Sequence, residues 1–171
     1  LHAVESVQLI YFYNTLHVSP GALGLVLSLA GVGAIAGTWL AGRQFHKMGL
    51  GNTLALNYLL SGVLSAALLL GAVVPPIPLL AVLFFVSGLL NTVCEIGQLS
   101  LRQSLTPARL QGRMNATFRM VFWGAWPLAN LLGGVSGALF GVPQTIALGS
   151  ACGMAAALVI PFTPLRGVRQ V

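Results

Sequence analysis

The chain has 171 residues, of which 57% are hydrophobic and only 6% charged, with a mean hydropathy of +0.91. A soluble domain carries about a quarter charged residues, so this sequence lacks the material for a wetted exterior, and the bilayer is the solvent it suits. Two acidic residues, Glu5 and Glu95, stand against eight Lys and Arg, and there is no Asp. Ser-His-Asp triads, paired-Asp sites and Asp-held magnesium sites are thereby excluded. The net charge of +6 does not indicate nucleic acid, because such binders spread Lys and Arg over a solvated face. Here the cations stand in a matrix of Leu, Ala, Gly and Val.

In chain order, the first segment, about 1–17, is too short for a full crossing and reads as a helix lacking its first turns. With Leu1 in place of Met and no signal-peptide layout, the chain reads as a fragment. "HVSPG", His17 to Gly21, ends that segment, and a span of about 21–42 follows. A basic loop, 43–51, carries Arg43 and Lys47. No charged residue occurs from Met48 to Cys94. One crossing needs about 20 apolar residues, so this gap holds two, about 52–72 and 77–100, parted by "VVPPIP". A second basic loop, 101–114, holds Arg102, Arg109 and Arg113. The next silent gap, Met120 to Leu165, holds two more spans, about 115–138 and 144–163, turned by "FGVPQ". A tail, 164–171, carries Arg166 and Arg169.

The fold class is therefore an all-α, polytopic transmembrane bundle with five full spans and one truncated. Each complete gap contains two crossings, so the basic clusters flanking it lie on one side, and the turns opposite carry no Lys or Arg. The positive-inside rule makes that side, and the C-terminus, cytoplasmic. Gly33/Gly37, Gly133/Gly137/Gly141 and Gly149/Gly153 fall four apart, a spacing that lets helix backbones touch in lipid. Packing within one bundle is the expectation over a dimer face.

Chemistry-bearing clusters are sparse. Cys94 and Cys152 lie in apolar runs without ligand spacing, and His2, His17 and His46 are scattered, so no metal or cofactor is expected. No nucleophile–base constellation is present, and the chain is not read as an enzyme. Glu95 and Arg119 sit at matching depth just inside the ends of two consecutive spans. Ionisable residues at membrane depth are functional candidates by default, and these two are candidates for an intramembrane ion pair, the alternative being that each snorkels to the headgroups. Asn14, Asn91, Gln98 and Asn130 are uncharged polar residues within spans. Trp123 and Trp126 flank the kink expected at Pro127, and with Asn91 and Gln98 they are the candidate cavity-lining residues. In the second basic loop, Thr106 suits an N-cap and Pro107 a first helical position, predicting a short interfacial helix. Arg109 and Arg113 would then share a face against anionic headgroups.

The stretch "SLRQSLTPARLQGRMNATFRMVFWGAWPLANLLGG", Ser100 to Gly134, resembles the segment joining helices ten and eleven in one branch of the major facilitator superfamily. That branch holds enterobactin-exporter-like and macrolide-efflux-like proteins of bacteria. "GTWLAGRQFHKMGLGNTL", Gly37 to Leu54, resembles the loop between helices eight and nine, with Gly42 where that loop motif carries Asp. The resemblance covers the chain as a C-terminal six-helix half. It implies a bacterial inner-membrane protein whose partners are the bilayer, an N-terminal half and a small-molecule substrate. The implied function is secondary active, proton-coupled efflux of small amphipathic compounds, drug- or siderophore-like. Glu5 and Glu95, on the helices that line the family's cavity, are then the candidate proton-coupling residues. Gly37, Arg43, Lys47, Arg102, Thr106, Pro107, Arg109 and Arg113 belong to the loop motifs. The alternative is a non-transporting membrane protein, an assembly or regulatory partner, or an inactive truncated transporter.

Overall fold

A computed structural model describes residues 7–72 and 76–159. They are helical almost throughout, with no strand among them. Residues 7–15 form α1, whose second half is a π-helix, Tyr11–Thr15. The others are α2 (Pro20–Met48), α3 (Leu50–Ala67, prolonged by the 3-10 turns Leu68–Ala72), α4 (Pro76–Leu105), α5 (Gln111–Phe140) and α6 (Val142–Val159). Three helical stretches, Pro20–Met48, Leu50–Leu70 and Ile77–Leu105, are long and apolar enough to cross a membrane. α5 is not among them; Arg113, Asn115, Arg119, Pro127 and Asn130 dilute its apolar surface.

The turns fall where proline and glycine place them. Val18 and Ser19 lead into Pro20, with the Ser19 hydroxyl accepting the Ala22 N–H at 3.4 Å. His17 takes a φ of 50° in this break. Gly141, at φ 93°, separates α5 from α6. The basic loops differ from expectation. α2 runs on to Met48, and only Gly49, at φ 74°, parts it from α3. α4 continues to Leu105, and α5 begins at Gln111. Neither 43–48 nor 101–105 holds a proline or glycine, so nothing stops the helices where the apolar run ends. The charged residues ride on helical extensions.

The expected interfacial helix shrinks to one 3-10 turn, Ala108–Leu110, with Pro107 rather than Thr106 at its N-cap. The side chain that caps here is Gln111, whose Nε2 donates to the carbonyls of Gln103 (3.3 Å) and Thr106 (3.4 Å). It satisfies acceptors left over at the end of α4.

α2 packs chiefly on α4, α3 on α6 and α4, and α5 on α6. The α2–α4 crossing is glycine-mediated. A Cβ on Gly33 would stand 1.9 Å from the Phe85 carbonyl oxygen, one on Gly37 2.6 Å from that of Leu89, and one on Gly88 2.0 Å from that of Ala30. The Gly33/Gly37 pair therefore serves packing within the bundle. Gly62 gives α6 the same access at Met154, and Gly137 brings Val7 of α1 against α5.

Two apolar clusters mark the two ends. Tyr11, Phe12, Leu16, Leu23, Leu68, Leu80 and Ile146 fill the end that holds the Pro/Gly turns. A smaller cluster, Leu50, Leu54 and Cys94 with Phe45, Tyr58 and Leu101, fills the end that holds Arg43, Lys47 and Arg102. Much of the outer surface is apolar, including Leu25 (73% exposed), Ile35 (73%), Met120 (81%) and Leu139 (72%), the inversion expected of a chain solvated by hydrocarbon.

Candidate functional site

Trp123 and Trp126 lie one turn apart on α5, and their rings meet with centroids 5.0 Å apart at 46°. Together with Pro127 and Asn130 they line an open hollow of about 350 Å³. Pro127 stands inside the helix, which continues on both sides. Without an N–H, proline cannot serve the carbonyl four residues earlier, here that of Trp123. The hollow thus combines two flat apolar faces, two indole N–H groups and a carboxamide, beside a main-chain carbonyl that the proline cannot serve. Sites for amphipathic molecules use this mix in enclosed form, broad apolar contact with a few polar anchors; here one face of α5 supplies it and the hollow stays open.

The residues predicted from sequence divide around this hollow. Trp123 and Trp126 line it together, and Asn130, read as a polar residue within a span, joins them. Asn91 is exposed on α4. Gln98 turns into the bundle instead, its Nε2 donating to the Tyr58 hydroxyl. Asn14 is exposed at the end of α1. Glu5 lies outside the described residues.

Glu95 and Arg119 both carry exposed side chains, and no ion pair among the described residues joins them. The reason lies in helix placement: α5 leans on α6 rather than along α4. The cation that does cross between α4 and α5 is Arg102, whose guanidinium carbon lies 3.5 Å from the centroid of the Phe118 ring. Arg43 makes the same kind of contact within α2, 3.5 Å over the ring of Trp39. Lys47, Arg109 and Arg113 are exposed, Gly37 is buried against α4, and Thr106 and Pro107 form the α4–α5 corner.

Sequence reading missed a buried polar knot at the basic end. Thr53 and Asn57 are wholly buried on α3. The Asn57 amide donates to Gln44 Oε1 of α2 at 3.1 Å and to the Thr53 carbonyl at 2.7 Å. The Thr53 hydroxyl lies 2.8 Å from the Gly49 carbonyl and 3.3 Å from that of Gln44. The spacing Thr53/Asn57, one helical turn starting just after a glycine break, was the available signal. Its partner Gln44 lies beyond that break and could not be inferred.

Comparison with models of known families, with curated proteins and with solved structures gives no match for this chain.

Proposed function

We propose that the chain is the C-terminal half of a secondary active efflux transporter of the major facilitator type, moving small amphipathic compounds across a bacterial inner membrane. The observation that carries the reading is the tryptophan-lined hollow at Pro127, set on a helix of an apolar bundle. Supporting it is the charge layout: every described Lys and Arg lies toward one end of that bundle, and the Pro/Gly turns at the other end carry none. The resemblance of Ser100–Gly134 to the helix ten–eleven segment of exporters points the same way.

In this reading the two indole faces hold the apolar body of the cargo. Asn130 and the indole N–H groups orient its polar part. An N-terminal half closes the other side of the cavity, and rocking of the two halves exposes it alternately to each face of the membrane. Glu5 and Glu95 are the two acidic residues of the chain and hence its candidates for proton coupling.

Cells expressing the full-length transporter, loaded with ethidium, test the idea. Efflux is expected to collapse with a protonophore, and Trp123→Ala with Trp126→Ala should slow it about tenfold, the scale of about 1.4 kcal/mol of lost aromatic contact. Efflux at the rate of empty-vector cells for ethidium and for siderophores alike would sink the transport reading. If Gln at both Glu5 and Glu95 leaves pH-driven efflux intact, coupling lies in other residues.

A further inference from the structure

The α4–α5 corner holds a cation that the hollow does not use. Arg102 belongs to the last turns of α4, and its guanidinium carbon lies over the Phe118 ring of α5, 3.5 Å from the centroid. Phe118 stacks in turn on Phe122, with ring centroids 5.6 Å apart at 15°. A guanidinium lying on a ring keeps its in-plane N–H donors free for a second partner. Two of the Arg102 nitrogens, Nε and Nη1, are buried and make no hydrogen bond.

Several of the nearby acceptors are already engaged. The carbonyls at a helix C-terminus ordinarily attract a cation, but here Ser104 Oγ donates to the Leu101 carbonyl at 2.8 Å and Gln111 takes those of Gln103 and Thr106. No acid is close along the chain: Glu95 is two turns earlier on α4, and the sequence has no Asp. Buried N–H groups are nearly always paired, and half-buried Arg102 leaves two of them without a partner.

We propose that Arg102, braced by Phe118, is an anion-binding residue that takes a phosphate group at the α4–α5 corner. The guanidinium fork matches two phosphate oxygens, which a lysine cannot do. Arg109 and Arg113, exposed on the connection and in the first turn of α5, add potential of the same sign with no acid opposing them. The two nitrogens are shielded from solvent, so binding requires the guanidinium to shift along the Phe118 face. The same group is presented by a phospholipid headgroup and by free phosphate.

The test uses the full chain in phosphatidylcholine nanodiscs and measures binding as a saturable rise in thermal stability. One arm titrates inorganic phosphate against chloride at constant ionic strength. The other raises the fraction of phosphatidylglycerol in the disc, so the responding arm identifies the source. Saturable binding is expected in one arm, weakened about tenfold by Arg102→Gln, the size of one lost charge-assisted fork, and less than about twofold by Arg113→Gln. Phe118→Leu should weaken it as well. No saturable response in either arm, or equal binding by wild type and Arg102→Gln, overturns the assignment. Should Arg102→Gln not fold, Arg102→Lys decides: it keeps the charge and loses the fork, so unchanged phosphate binding in that variant also overturns it.

Discussion

Gly33 shows how much one absent side chain contributes here. The atom a Cβ would meet is the Phe85 main-chain oxygen, 1.9 Å away, and a main-chain atom cannot rotate aside. Gly33→Ala must therefore push α2 off α4. The expected loss is on the order of 1–3 kcal/mol, as for overpacking elsewhere, read as a lower melting temperature in detergent. Gly31→Ala, two positions away with nothing within 4 Å, should leave that temperature unchanged; equal effects of the two would show that this crossing is misassigned. Asn57 makes the complementary case. Replacing it with Ala removes, from a wholly buried position, the donor to half-buried Gln44 Oε1. A loss of about 1–3 kcal/mol is expected for the orphaned acceptor, and Gln44→Ala in the same background should add little further, because the two changes share one interaction.

At the scale of elements, α5 stands apart. Among its residues with described side chains Gly133 is the buried one, while Leu128, Leu131 and Leu132 are each about two-thirds exposed. Its chemistry gathers around Pro127, and stability and function should separate there. An interior proline costs a helix about 3 kcal/mol or more, so Pro127→Ala restores the bond to the Trp123 carbonyl and should raise the melting temperature. The same change reshapes the hollow, so under the proposed function ethidium efflux by the full-length protein should fall. A variant both more stable and equally active would detach Pro127 from transport. The lengths of α2 and α4 have a related consequence. A helix of 29 or 30 residues is about 45 Å long at 1.5 Å per residue, beyond a hydrocarbon core of about 30 Å. Spanning a bilayer would leave their last turns in the headgroup layer, where Arg43 over Trp39 and Arg102 over Phe118 suit the wet boundary.

For the molecule as a whole, the decisive property is sidedness. Single cysteines at Lys47, Arg113, Ser19 and Gln144, in a protein with Cys94 and Cys152 replaced, should divide into two pairs. An impermeant maleimide added to intact cells is expected to label Ser19→Cys and Gln144→Cys. Lys47→Cys and Arg113→Cys should react only after permeabilisation, as the positive-inside rule requires. Mixed labelling within either pair would refute the hairpin arrangement.

Composition and charge spacing alone determined that this is an apolar, multi-helix chain, and they placed its breaks at Ser19–Pro20 and Gly141, because proline and glycine act through local backbone geometry. Trp123 and Trp126 were legible as a pair because one helix turn brings them together whatever else the chain does. Relations between helices were not legible. The sequence shows that Gly33 and Gly37 permit close approach, but not that Phe85 and Leu89 approach them. It aligns Glu95 with Arg119 by depth, yet α5 leans on α6, and Arg102 is the residue that spans the corner. Depth along a helix follows from counting residues, whereas the partner across a gap depends on how several helices pack at once, and only the tertiary structure decides that.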